Sequence, residues 1–429
     1  MITILVDERS NRLEYTLSVI FDEWLLVEYE VKTSVDRTES FLINYSSKDV
    51  QSDLKIYNEG LLGENNIRFS QPEIADQDGL PLIFLTQETA YDLPFDIFSA
   101  VFFSLSRYEE YITKGKDKHG RFQAGESIFS GYHRTPYLDR WVGLLDHILV
   151  KNGAKNPREI KFTWINTMDM DIAFAFKGRS TFRKLGASVK DLIHMRLQRL
   201  QERNRVVSGK TPDPFDTYDL FLNAKGSNQN ILFVPTGKRG EYDNNLSIET
   251  RSLRAHIGRL STKVEVGLHP SYQSLGSSSV ISKEKAKLET ALNAPIRKSR
   301  QHFLRFQLPE TYRSLIENGI EEDYSMGFHD DIGFRSGTAH IHSFFDLIND
   351  YKLHIKLIPL IAMDSAMRVY LEYSPEQAIS TMKEVIFNMS LTGGNFVSVW
   401  HNHSLSDLYE WNGWRKVYLA LPDLVSTSS

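Results

Sequence analysis

The chain of 429 residues contains no cysteine. That absence removes disulfides and thiolate metal sites, so any metal must be held by His, Asp or Glu. A strong charge of one sign is also missing: 50 Lys and Arg against 55 Asp and Glu leave a net charge of −5. Gripping nucleic acid takes clustered Lys and Arg, so no nucleic-acid partner is expected. No apolar run approaches the length of a membrane span. The opening MITILVDERSNRLEY carries acids and bases where a secretory signal needs a longer apolar core, which makes the cytoplasm the expected compartment.

What is present is ordinary globular composition, 41% hydrophobic and 24% charged, enough for a large core. A prior of about 150 residues per domain gives two or three domains. Residues 1–155 show short apolar runs (MITILV, EWLLVEYEV, LPLIFL) followed by two helical segments, PFDIFSAVFFSLSRYEEYI and PYLDRWVGLLDHILVKNG. They read as an N-terminal α+β domain without a catalytic cluster, closed by the linker-like KNGAKNPRE; His119 and His133, in a polar glycine-containing loop, read as solvated. From 156 to 429 apolar strands alternate with amphipathic helices. The strands are KFTWINTMD, NILFVP, KVEVGLH, QHFLRF, YSMGF, HIKLIPLI and NFVSVWH. Such alternation predicts a parallel α/β fold, an open sheet or a barrel. The basic run HMRLQRLQERNR at 194–205 reads as a solvated helix face.

Ligands in these folds gather at the C-terminal ends of the strands, and there the polar residues collect. In INTMDMDIAF, residues 165–174, Asp169 and Asp171 interrupt an apolar run. Two carboxylates on one face of a buried strand are costly unless a cation or a proton neutralises them; the ordinary alternative is an acid that starts a turn. His269 ends another strand, Arg300 and His302 lie in SRQHFLRF, and His401 and His403 close VSVWHNHSLSD. A catalytic divalent metal wants three carboxylate and imidazole ligands with a position left for water, a count that Asp171, His269 and His302 meet. Asp169 is then free to act as base, with Arg300 holding it ionised, and His401 or His403 is placed to protonate a leaving amine.

These motifs resemble the polysaccharide deacetylases of the NodB-homology superfamily, carbohydrate esterase family four, in a divergent Bacteroidetes-type branch with an extra N-terminal domain. The resemblance covers roughly residues 160–410. It implies a distorted (β/α) barrel of about seven strands and removal of an acetyl group from a sugar with an Asp-His-His metal site, most simply zinc. Thr167, Asp169 and Asp171 are similar to the family's T-F-D-D-G, with Met170 separating the acids, and by that likeness Asp169 is the base and Asp171 a ligand. HPSYQ matches H-[ST]-x-x-H at His269, but Gln273 stands where the second histidine belongs. His302, within the stretch similar to the third motif, is the candidate replacement. VSVWH is similar to the last motif and favours His401 over His403 as acid. GFRSGT looks characteristic of the branch, with Arg335 open between an active-site role and a loop salt bridge. Arg335, Tyr272 and His403 are the candidate substrate contacts. The expected activity is metal-dependent N-deacetylation of a carbohydrate or glycan precursor. An impaired glycan-binding protein on the same barrel and a hydrolase of a non-sugar amide are the alternatives.

Overall fold

The computed structural model describes residues 1–35, 41–178 and 197–427. Near the N-terminus, β1 (Ile2–Val6), β2 (Tyr29–Lys32), β3 (Phe41–Tyr45) and β4 (Leu54–Lys55) form a parallel sheet ordered β2-β1-β3-β4. Every residue of β1 is buried, as an apolar strand inside a parallel sheet covered on both faces must be. The helix Ile97–Leu105, capped by Asp96, is buried all round, which is why its sequence is apolar on every side. A small hairpin, β5 (Ala75–Gln77) and β6 (Leu80–Leu82), turns through Asp78 and Gly79, both with positive φ.

A nine-stranded sheet dominates the remainder: β7 (Phe162–Asp169), β8 (Gln229–Val234), β9 (Glu265–Leu268), β10 (Lys298–Ser299), β11 (Glu322–Asp323), β12 (His342–Asp346), β13 (Tyr351–Leu357), β14 (Ala362–Met363) and β15 (Gly394–His401). Its order is β12-β13-β11-β10-β9-β8-β7-β15-β14, parallel throughout except for β12 against β13. Among the described residues no strand pairs β12 with β14. The chain from β13 into β14 nevertheless bonds on both sides: Ile358 and Leu360 donate to Asp323 O and Met326 O, whereas Ile361 donates to Val397 O. The two sides of the sheet are thus joined through one irregular segment.

The alternation of strands and helices follows the sequence reading in outline, but β12 is an unanticipated antiparallel strand, the expected strand HIKLIPLI stops at Leu357, and two further expected strands are absent. QHFLRF is not a strand: β10 ends at Ser299, and His302–Leu304 form a 3-10 turn. YSMGF is not one either, because β11 ends at Asp323. In both places side-chain bonds displace the ladder; the Gln301 N–H donates to Ser325 Oγ at 2.9 Å. Arg300 and His302 therefore do not share the face of a strand. The basic segment is helical over Leu197–Val207, and residues 194–196 lie outside the described ones.

The N-terminal part packs against β12. Phe345 and Leu347 belong to the same apolar cluster as Ile4, Phe98 and Trp141, and Tyr15 and Trp24 donate to the carbonyls of Ser343 and Ile341. His119 and His133, expected to be solvated, are buried in this region. His119 Nδ1 lies 3.0 Å from the Tyr272 hydroxyl, and His133 Nε2 lies 3.0 Å from Asp331 Oδ2. Their loop is polar because it bonds to the second half of the chain, a cause invisible to local polarity. No helix among the described residues is long and apolar enough to cross a membrane.

Candidate metal centre

Of the five neighbouring parallel strands β10-β9-β8-β7-β15, all but β8 deliver a polar side chain, from the strand's end or the chain just beyond it, to one cavity of about 340 Å³. Asp169 closes β7 and Asp171 follows it; His269 follows β9; His302 comes from the turn after β10; His401 closes β15. Asp171, His269 and His302 bring ligand atoms within 4.8 Å of one another, a possible metal-binding triad.

The hydrogen bonds behind these side chains set their chemistry. His269 Nδ1–H donates to Arg300 O at 2.5 Å, which leaves a lone pair on Nε2 in the neutral ring. That Nε2 faces Asp171 Oδ1 at 3.2 Å, yet neither atom has a hydrogen-bond partner among the described residues. Two buried acceptors turned toward each other without a donor is an arrangement that a cation relieves. His302 repeats the pattern, with Nδ1 on Asp243 Oδ1 at 2.8 Å and Nε2 at 3.5 Å from Asp171 Oδ2. So does His401, with Nδ1 on Asp364 Oδ1 at 2.7 Å and Nε2 at 3.5 Å from Asp171 Oδ2. Two of these imidazoles, His269 and His302, join the Asp171 carboxylate in a donor set that fits a divalent ion, and a carbonyl and a carboxylate orient the two rings from behind.

Protons compete for the same place. Burial pulls the His302 and His401 rings down, but the carboxylates around them prevail, pushing His302 up to about 9 and His401 to about 10. Burial likewise works to raise Asp171, and the neighbouring imidazoles hold it well below the usual carboxylate range. His403 lies 5.3 Å from His401, ring to ring, but burial and the His401 charge push it down to about 4. The carboxylates thus favour a proton on His401, and burial disfavours one on its neighbour His403.

Asp169 is held separately. Arg300 Nη1 donates to its Oδ1 at 2.8 Å, and Arg300 is itself buried over the Phe233 ring, 4.4 Å from its centroid. Of the candidate substrate contacts, His403 lines the cavity. Tyr272 does not; its ring packs against Tyr242 at 4.3 Å, under the guanidinium of Arg305. Arg335 is also elsewhere, paired through Nε and Nη2 with the two oxygens of Glu110 at 2.9 and 2.7 Å. The loop salt bridge is the half of that open reading which the geometry contains.

Asp243 and Asp364 were missed in the sequence. Asp364 carried a usable signal, since it directly follows the apolar LIAM at a strand end; Asp243, in RGEYDNN, carried none. Gln273 is not part of the triad, and His302 stands in the group instead.

Comparisons with known proteins add the following. Residues 2–154 match a family described as a family of unknown function, DUF7033. Among curated proteins nothing matches. Solved structures with some likeness include a candidate polysaccharide deacetylase from Mycobacterium smegmatis, at 13% identity and TM-score 0.38, covering 64% of this chain and 86% of that one. A candidate glycoside hydrolase/deacetylase from Parabacteroides distasonis aligns at 10% identity and TM-score 0.35, covering 64% and 68%. A 4-alpha-glucanotransferase from Thermococcus litoralis aligns at 12% identity and TM-score 0.36, covering 61% and 38%.

Proposed function

We propose that the protein is a metal-dependent hydrolase that removes an acetyl group from the nitrogen of a carbohydrate or glycan precursor in the cytoplasm, on a distorted barrel fronted by a domain of residues 1–155. The observation that carries this reading is the orphaned pair His269 Nε2 and Asp171 Oδ1, 3.2 Å apart and completed by His302. Two imidazoles and a carboxylate are a donor set that zinc accepts with a position to spare. A divalent ion bound there supplies a Lewis acid that polarises an amide carbonyl and makes an attacking water more acidic.

The chain's own residues do the remainder. Asp169, oriented by Arg300, takes the proton of the water whose oxygen attacks the acetyl carbon. His401, held by Asp364 with Nε2 turned into the cavity, gives a proton to the nitrogen as the C–N bond breaks, so acetate and a free amine leave. The same cavity offers the Trp411 and Tyr370 rings, surfaces on which a sugar can stack.

The test is acetate release from a panel of N-acetylated sugars, with metal content measured on the same sample. Release that stops on chelation and returns with a divalent ion is expected. Metal-loaded protein that binds these sugars without releasing acetate would overturn the hydrolase reading in favour of a binding protein. Release confined to non-sugar amides would move the substrate class.

A further inference from the structure

The turn that carries His302 is backbone-strained. Phe303 and Leu304 both have positive φ, 62° and 50°, and neither is glycine. Side chains with a Cβ avoid this region, and two in succession persist only where the surroundings over-determine them. Some of those surroundings are local to the second half of the chain, where the His302 N–H donates to Pro270 O at 3.1 Å and Arg305 Nη1 to Tyr272 O at 2.9 Å; the others come from the N-terminal part. Arg121 Nη1 donates to Phe303 O at 3.0 Å, and on the far side of the turn Arg305 Nε donates to His119 O at 2.9 Å. The loop 117–121 is itself rigid: Asp117 accepts from Arg121 Nε and Nη2 at 3.0 and 2.7 Å, and from the backbone N–H groups of His119 and Arg121. Arg121 is 4% exposed; besides Asp117 and Phe303 O it donates from Nη2 to the Tyr370 hydroxyl at 2.9 Å, at the edge of the same cavity.

We propose that loop 117–121, acting through Arg121 and the His119 carbonyl, is a positioning clamp that holds the strained turn so that His302 reaches Asp171 and His269. This rests on the metal-centre reading above. Gln273 occupies the place where the resembling family has a second histidine, and the histidine used instead sits on a turn that its own sequence disfavours. Part of the ligand geometry is therefore supplied by a segment far away in the chain. Arg121 lines the cavity, but its proposed action on the metal group runs through the Phe303 carbonyl, which makes it a positioning residue.

The experiment titrates the full-length protein, stripped of metal, with Co²⁺ and reads affinity and the visible absorption of the bound ion, with thermal unfolding measured alongside. Arg121→Ala is expected to weaken Co²⁺ on the order of 10–100-fold, the usual cost of losing an outer partner of a ligand, and to alter the spectrum. Arg121→Lys, which keeps a donor near Phe303 O, should recover part of both. Should Arg121→Ala fail to fold, Arg305→Gln, which removes the bond to His119 O, is read in the same way. If wild type binds Co²⁺ and the variants match it in affinity and spectrum, the clamp is wrong and the proposed function stands. If wild type itself takes up no divalent ion, the metal-centre reading falls, and the clamp falls with it.

Discussion

Asp169 and Asp171 lie on the same side of the chain as it leaves β7, but their partners differ. Asp169 meets a permanent cation, Arg300, at 2.8 Å and His269 Nε2 only at 3.8 Å, whereas Asp171 meets three imidazoles whose charge depends on protons or on a metal. Asp169→Asn should keep metal affinity near wild type and lower turnover by on the order of 10²–10⁴, as for other acid–base groups. Asp171→Asn should weaken the metal itself, measured by competition with a chromogenic chelator. Equal behaviour of the two in that titration would refute the division of labour. His401 and His403 separate in the same manner. The proposed acid role needs a proton near neutrality, which the carboxylates favour on His401 and burial disfavours on His403. His401→Ala is expected to lose far more turnover than His403→Ala with metal retained in both; the reverse ranking would move the acid.

At the scale of elements, β12 is the strand that joins the two parts of the chain, and it opens with His342. That imidazole is fully buried, and burial pushes it down to about 4. In the unfolded chain a histidine titrates near 6.5, so between about 6.5 and about 4 the unfolded state binds the extra proton. Stability contributed by keeping this ring neutral is therefore full above the unfolded value and falls as pH drops through that window. Between pH 7 and pH 5 the loss from this one group amounts to at most about 2 kcal/mol. Urea unfolding at both pH values should show it, and His342→Gln should flatten that part of the slope. An unchanged slope in the variant would assign the acid sensitivity to other groups.

Across the whole molecule, the cluster around Ile4, Phe98 and Trp141 is completed by Phe345 and Leu347 from the other half. Buried charge crosses the same seam, since Glu110 pairs with both Arg335 and Arg107. A chain beginning at residue 156 would expose Phe345 and leave Arg335 without its carboxylate. Breaking a buried pair by removing one partner costs about 3–5 kcal/mol, and losing the contacts of a buried Phe costs a similar amount. Residues 156–429 expressed alone should therefore aggregate or bind a hydrophobic dye, whereas proteolysis of the intact chain within 151–159, which is largely exposed, should leave the two pieces associated. A soluble, monodisperse 156–429 piece would show that the shared core is dispensable.

Read without the fold, the chain already shows apolar runs alternating with amphipathic helices, nitrogen and oxygen donors forced by the lack of cysteine, and acids and histidines at the ends of those runs. These are local properties, since alternation, hydropathy and residue type are readable within about ten positions. The tertiary structure alone decided which of those residues meet. Arg300 reaches Asp169 across 131 positions, His401 finds Asp364 across 37, and His302 arrives on a strained turn where the sequence suggested a strand. It also buried His119 and His133, which local polarity placed in solvent, and committed Arg335 to Glu110. Packing between distant segments sets all of these, because the energy that orients a buried polar group comes from whichever partner the fold places beside it.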